Sequence, residues 1–160
     1  MAPSADPVPV TLPPAPDAGL ASLYQEIILS HYRAPRHRGV LAGAVPAVEH
    51  RNPLCGDVLA LQLEFAGDRI TDAAFTARAC SITQATASML LDRLIGTSRA
   101  EALVLVARVE ALIEASPAAG ATPADELGDL RALASVARFP ARRACVRLVT
   151  GAATEALTGA

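Results

Sequence analysis

The sequence predicts an α+β fold in which a small antiparallel β-sheet of about three strands packs against several α-helices. A segment whose apolar residues recur at helical spacing is followed by two segments in which apolar and other residues alternate, joined by a glycine turn. Segments with helical spacing make up most of the remainder. Elements in the order helix, strands and helices are typical of the α+β class. A chain of 160 residues is long enough for one such domain with its own core.

The chain begins with a proline-rich segment. Residues 1–18 have few large side chains, and their prolines are Pro3, Pro7, Pro9, Pro13, Pro14 and Pro16. Such a segment cannot bury enough apolar surface to offset the entropy that is lost on ordering. We therefore predict a disordered tail over residues 1–18 and a single domain over residues 19–160.

The domain is predicted to open with a helix over residues 19–33. Its apolar residues recur at helical spacing, at Leu20, Leu23, Tyr24, Ile27 and Ile28. Pro35 ends this helix because the residue before a proline avoids the α conformation. A short strand is predicted over residues 46–51.

A β-hairpin follows. Leucines alternate with other residues over 57–66, as expected of a half-buried strand. Gly67 and Asp68 supply the turn, and Arg69 to Arg78 is predicted to be the return strand.

The remainder is predicted to be helical. One helix starts near Ser81 and is ended by Gly96, with a buried face formed by Ala87, Leu90, Leu91 and Leu94. Ser98 and Glu101 form a capping box for the next helix, which runs to about Ala115.

Two further helices are predicted near the end of the chain. A loop over residues 116–123 leads to Asp125, which is expected to cap a short helix through Ala137. Pro140 suits the first turn of the last helix, which ends before Gly159.

Composition excludes several classes of function. The net charge of −2 gives no reason to expect nucleic-acid binding. No apolar run reaches the roughly 18 residues that a membrane span requires, and the start of the chain lacks a secretory signal pattern. We expect a cytoplasmic protein, in which thiols remain reduced.

The chemistry of the chain is concentrated in three cysteines, Cys55, Cys80 and Cys145, with Asp57 beside the first. Three thiols and a carboxylate suffice for a four-coordinate zinc site, an iron–sulfur cluster site or a sulfur-transfer site. Cys55 and Asp57 precede the first hairpin strand and Cys80 follows the second, so all three are expected at one end of the hairpin. Cys145 joins them if the last helix packs there.

These residues resemble the IscU, SufU and NifU N-terminal family of iron–sulfur cluster assembly proteins. The resemblance covers residues 20–157 and predicts the fold of that family. It rests on Leu23-Tyr24-Gln25-Glu26-Ile27-Ile28, His31-Tyr32, Asn52-Pro53-Leu54-Cys55-Gly56-Asp57, Phe75, Ala79-Cys80-Ser81-Ile82-Thr83, Ala87-Ser88-Met89 and Phe139-Pro140-Ala141-Arg142-Arg143-Ala144-Cys145.

Within the family, the chain is most similar to the SufU branch. The segment between Cys80 and Cys145 is long, Arg142 lies three residues before the last cysteine, and no Leu-Pro-Pro-Val-Lys segment is present. Ala144 stands where the scaffold branch has a histidine and where SufU has a lysine.

The resemblance implies a zinc-dependent sulfurtransferase. Zinc would be held by Cys55, Asp57, Cys80 and Cys145, and Cys55 would accept persulfide sulfur from a PLP-dependent cysteine desulfurase similar to SufS. A histidine of the desulfurase would replace Cys55 at the metal. Arg142 would act as a catalytic residue, and a downstream iron–sulfur scaffold would receive the sulfur.

Other interpretations remain open at the level of the residues. The chain is alternatively a scaffold on which a 2Fe–2S cluster is assembled, or a structural zinc-binding interaction module. Position alone also allows Cys145 as the acceptor, or as a buried apolar residue. Arg142 and Arg143 are either an ordinary solvated pair, or Arg142 neutralises thiolate charge at the site. His31 and His37 are expected at the surface or in a loop rather than as ligands.

Overall fold

A computed structural model describes residues 18–114 and 127–159 of the chain. The predicted proline-rich tail therefore lies outside the described residues, except for Ala18, which begins the first helix. The predicted loop over 116–123 and the cap at Asp125 also lie outside them.

The described residues form the predicted α+β fold, with a three-stranded antiparallel sheet in the order β1-β2-β3. Each predicted strand is confirmed to within about a residue or two of its expected bounds. The elements are α1 (Ala18–Arg33), β1 (Ala47–Arg51), β2 (Val58–Ala66), β3 (Arg69–Arg78), α2 (Ser81–Leu94), α3 (Arg99–Glu114), a 3-10 helix (Gly128–Val136) and α4 (Pro140–Thr158).

The hairpin of β2 and β3 determines where the cysteine motifs lie. Val58 pairs with Arg78, so the start of β2 is opposite the end of β3. Asp57 immediately precedes this pair and Cys80 follows it by two residues. At the far end Gly67 adopts a φ of 59°, a left-handed conformation that glycine tolerates without steric cost.

Helix α2 is buried almost all round rather than on one face as predicted. Every residue from Thr83 to Leu91 is buried, because α1, α4, the 3-10 helix and β3 all pack against this helix. The aliphatic side chains of Leu59, Leu61 and Leu63 complete the core from the sheet. The first turn of α2, which follows Cys80, is therefore inside the protein.

The same hairpin holds α2 at its C-terminal end. The backbone N–H of Gly96 donates to the carbonyl of Ile70 at 2.8 Å, and the N–H of Ile70 donates to the carbonyl of Thr97 at 2.9 Å. Helix α2 thus begins beside the base of the hairpin and ends beside the start of β3.

Several helix termini lie where the local sequence predicts them. Ser98 Oγ accepts from the N–H of Glu101 at 3.2 Å and Glu101 Oε2 accepts from the N–H of Ser98 at 2.9 Å, which confirms the capping box. Pro140 opens α4, and Gly159 ends it with a φ of 68°. The segment predicted as a short helix before α4 winds as a 3-10 helix where it is described. No helix in the two described ranges is long and apolar enough to cross a membrane.

Candidate metal centre

Three of the predicted site residues meet at the base of the hairpin. One oxygen of Asp57 and the sulfur atoms of Cys80 and Cys145 all lie within 4.8 Å of one another. The two sulfur atoms are 3.3 Å apart, and all three cysteines of the chain are free thiols. Residues far apart in sequence thus form a compact group of metal-ligand atoms.

Each of the three is positioned by a different element. Asp57 is the last residue before β2, and Cys80 is the N-cap residue of α2. Cys145 lies in the second turn of α4 and is only 4% exposed. Its sulfur is 3.4 Å from the carbonyl oxygen of Ala141, one helical turn earlier. The packing of α4 against α2 and the sheet brings Cys145 to Cys80, as the sequence required.

The carboxylate of Asp57 is buried and accepts hydrogen bonds through one of its two oxygens. Its Oδ2 atom accepts a hydrogen bond from Thr83 Oγ1 at 2.9 Å and a longer one from the N–H of Cys80 at 3.4 Å. Thr83 has no exposed surface, and its hydroxyl oxygen is also 3.5 Å from the sulfur of Cys80. The carboxylate therefore links β2 to the start of α2.

Burial controls the charge of Cys145. Removal from water, together with the adjacent Cys80, raises the pKa of this thiol to about 11. Without a metal ion, Cys145 is thus a neutral thiol at physiological pH. A bound cation would favour the thiolate, because metal ligation deprotonates cysteine.

The donor set suits zinc. Two thiolates bound to a tetrahedral zinc at about 2.3 Å lie about 3.8 Å apart, slightly farther than the 3.3 Å between Cys80 and Cys145. A carboxylate oxygen within 4.8 Å of both sulfur atoms supplies a third ligand. One further thiol would close a four-coordinate site.

Cys55 is exposed and is not one of the three grouped residues. It lies in the turn between β1 and β2, where the N–H of Asn52 donates to the carbonyl of Asp57 and the N–H of Gly56 donates to that of Asn52, both at 2.9 Å. Gly56 has a φ of 75°. Gly56 therefore belongs to a turn that is closed by backbone hydrogen bonds. Ligation of a metal by Cys55 stays a prediction.

Arg142 is exposed in the first turn of α4, three residues before Cys145. Its neighbour Arg143 is half-buried and donates through a terminal guanidinium nitrogen to the carbonyl of Ala137 at 2.7 Å. The two arginines are therefore not an equivalent solvated pair. A catalytic role for Arg142 stays a prediction.

Thr83 is the site residue that sequence reasoning missed. The signal for it in the sequence is its position relative to Cys80. The third residue after a helix N-cap lies in the first turn, near the side chain of the N-cap residue. With Cys80 as N-cap, Thr83 was placed to contact the site.

The described residues form a small α+β domain in which two thiols and a carboxylate that could hold a metal ion are gathered at the base of a hairpin. The family model for the NifU-like N-terminal domain matches residues 23–146. The chain therefore belongs to this family, which confirms the resemblance drawn from its motifs.

Individual relatives agree with this assignment. The iron–sulfur cluster assembly scaffold protein IscU of Streptococcus pyogenes serotype M1 is 40% identical over 139 residues, covering 86% of this chain and 84% of that protein. The zinc-dependent sulfurtransferase SufU of Bacillus subtilis strain 168 is 35% identical over 132 residues, covering 82% and 87%.

A solved structure shows the same fold. It is that of a candidate iron–sulfur cluster assembly scaffold protein for the SUF system of Fervidobacterium islandicum AW-1. The TM-score is 0.75 at 26% identity, with 85% of this chain and 97% of that chain covered.

Proposed function

We propose that this protein takes part in iron–sulfur cluster assembly as a zinc-dependent sulfurtransferase that accepts persulfide sulfur from a PLP-dependent cysteine desulfurase. The observation that carries the proposal is the contrast between an exposed Cys55 and the assembled group of Asp57, Cys80 and Cys145. The similarity to a protein named as a zinc-dependent sulfurtransferase supports it.

In this proposal Asp57, Cys80, Cys145 and Cys55 would hold the zinc ion. The bound ion would keep the ligand thiols deprotonated and add positive charge to the site. The buried carboxylate and the two inner cysteines would remain in place throughout, since Asp57 adjoins β2, Cys80 caps α2 and Cys145 lies within α4. Arg142, exposed at the start of α4, would supply a positive charge near the reacting thiolate.

Sulfur transfer would occur at Cys55, because its thiol is open to solvent and therefore to a partner. The Cys55 thiolate would attack the terminal sulfur of the desulfurase persulfide, forming a new S–S bond at Cys55 Sγ. The S–S bond of the partner breaks, and its electron pair leaves with the desulfurase cysteine as a thiolate. The terminal sulfur keeps its proton, and Cys55 becomes a persulfide that a downstream iron–sulfur scaffold accepts.

The main competing function is that of a scaffold for a 2Fe–2S cluster. It is favoured by the 40% identity to a protein named as a scaffold, and cysteine thiolates are the usual cluster ligands. A purely structural zinc module is a third candidate. We favour sulfur transfer because a carboxylate among the grouped donors suits zinc better than an iron–sulfur cluster.

For the location of the protein, free cysteine thiols are consistent with the reducing cytoplasm.

The test is to purify the full chain, measure its metal and sulfide content, and incubate it with a PLP-dependent cysteine desulfurase and cysteine. We expect a colourless protein with about one zinc per chain and a gain of about 32 Da, one sulfur atom, on the peptide containing Cys55. Cys55→Ala should abolish both the modification and any stimulation of the desulfurase.

The outcomes separate the candidates. A brown protein containing iron and sulfide would support the scaffold. Zinc without any sulfur acceptance would support the structural module. A persulfide found on Cys145 in wild type would overturn the role given to Cys55.

A further inference from the structure

Among the described residues, hydrogen-bond donors contact only one of the two carboxylate oxygens of Asp57. The described residues donate two hydrogen bonds to Oδ2, from the Thr83 hydroxyl at 2.9 Å and from the Cys80 N–H at 3.4 Å. No donor among the described residues reaches Oδ1. One oxygen is therefore used to hold the carboxylate, and the other has no such partner.

The Thr83 hydroxyl donates its single hydrogen bond to the Asp57 carboxylate. A threonine hydroxyl donates one hydrogen bond, and the Asp57 oxygen at 2.9 Å is a closer and better acceptor than the Cys80 sulfur at 3.5 Å. A hydrogen bond to an ionised acceptor is about twice as strong as a neutral one. The hydroxyl of Thr83 thus fixes the rotation of the Asp57 carboxylate.

Burial makes this arrangement rigid. Thr83 has no exposed surface and Asp57 is only 6% exposed, so water does not readily replace either partner. The residue before Thr83 is half-buried and all the following ones up to Leu91 are buried, which prevents the first turn of α2 from shifting.

We propose that Thr83 is a positioning residue for the metal centre: it fixes the Asp57 carboxylate through Oδ2, which leaves Oδ1, without a donor among the described residues, available as a single ligand atom beside Cys80 and Cys145. This inference rests on the proposed zinc site. It also explains why a hydroxyl occupies a fully buried position between a carboxylate and a thiol.

The experiment compares three variants of the full chain, Thr83→Val, Thr83→Ser and Thr86→Val. Thr83→Val removes the hydroxyl and keeps the shape of the side chain, whereas Thr83→Ser keeps the hydroxyl. Thr86→Val is the matched control, because Thr86 is also fully buried in α2 but donates to the carbonyl of Ile82 at 2.7 Å instead. Zn²⁺ affinity is measured by competition with a chromophoric chelator, and Co²⁺ is used as a spectroscopic probe.

We expect Thr83→Val to weaken Zn²⁺ binding by about 10- to 100-fold, the usual effect of removing an outer partner of a metal ligand. The visible bands of its Co²⁺ form should weaken as the geometry departs from tetrahedral. Thr83→Ser should stay within about threefold of wild type, and Thr86→Val should keep both the affinity and the Co²⁺ spectrum.

Wild-type affinity and an unchanged Co²⁺ spectrum in Thr83→Val would overturn the inference and leave the zinc site standing. An equal loss in Thr83→Ser would also overturn it, since packing rather than the hydroxyl would then be responsible. Failure of the wild type to bind Zn²⁺ would instead refute the zinc site of the proposed function. If Thr83→Val does not fold, as judged by circular dichroism without metal, Thr83→Ala removes the same hydroxyl without filling its space and gives the same test.

Discussion

The turn between β1 and β2 and the N-terminal turns of α2 and α4 present their cysteines in opposite ways. Cys55 is exposed in a turn that is closed by hydrogen bonds among Asn52, Gly56 and Asp57. Cys80 and Cys145 have their sulfur atoms in contact at the boundary of the core, and Cys145 is 4% exposed.

This difference separates two chemical tasks. A metal ligand is most effective when the fold holds it in place before the ion arrives, because little entropy is then lost on binding. A nucleophilic thiol that meets a second protein must be accessible and ionisable. The inner pair meets the first requirement, and Cys55 meets the exposure that the second demands. We therefore expect cysteine to serve two different purposes in this protein.

The largest expected effect is on alkylation of the metal-free protein. At pH 8, Cys55 should react with iodoacetamide at least about 100-fold faster than Cys145, because Cys145 is buried and largely protonated. Since burial raises the pKa of the Cys145 thiol to about 11, its thiolate fraction is small below that pH. Its rate should rise by about tenfold per pH unit until that pKa is reached. Peptide mass analysis of timed samples measures both rates.

Equal labelling of the two cysteines at pH 8 would break the distinction between an exposed and a buried thiol. Labelling in guanidinium chloride is the control, because unfolding should make the rates similar.

Removing one sulfur from each region should have unequal effects on metal affinity. Cys80→Ser should weaken Zn²⁺ binding by more than about 100-fold, whereas Cys55→Ser should weaken it by about tenfold. Cys80 belongs to the assembled group, while Cys55 must be brought to the metal from outside it. Chelator competition measures both affinities. A greater loss in Cys55→Ser than in Cys80→Ser would reverse the assignment of the two regions.

The smallest expected effect concerns the turn itself. Gly56→Ala should lower the free energy of unfolding by about 1 kcal/mol, because alanine is disfavoured at positive φ. Apart from the glycine itself and its two chain neighbours, no atom of the described residues lies within 4 Å of the added methyl group, so no clash contributes. Gly67→Ala is the matched control, since Gly67 has a φ of 59° and equally open surroundings in the turn between β2 and β3.

Urea denaturation of both variants measures these losses. Only Gly56→Ala should also slow sulfur acceptance. Equal rates of acceptance in the two variants would show that the conformation of the β1–β2 turn does not matter for Cys55.

Local patterns predicted most of the fold. The hairpin turn at Gly67, the capping box of Ser98 and Glu101 and the start of α4 at Pro140 all follow from short stretches of sequence, and the structure confirms them. The same locality placed Asp57 and Cys80 together, because antiparallel strands bring the start of one beside the end of the next.

Long-range contacts were less accessible to sequence reasoning. His31 was expected at the surface or in a loop, but it is buried in α1, with Nδ1 2.7 Å from Ser88 Oγ and Nε2 2.8 Å from Asp129 Oδ2. Neither partner is near it in the sequence, so no local pattern could indicate the contact. The nearly complete burial of α2 was missed for the same reason, since it depends on which elements pack around that helix.

The attachment of α2 to one hairpin at both of its ends restricts how the sequence can change in length. Its start is tied to the base of the hairpin through Asp57 and Thr83, and its end is tied to β3 through Gly96 and Ile70. Deleting a single residue inside α2 would rotate one end relative to the other by about 100° and shorten the helix by about 1.5 Å. Cys80 and Gly96 could then not both meet their partners. Insertions and deletions within α2 are therefore expected to be far less tolerated than changes in residue type.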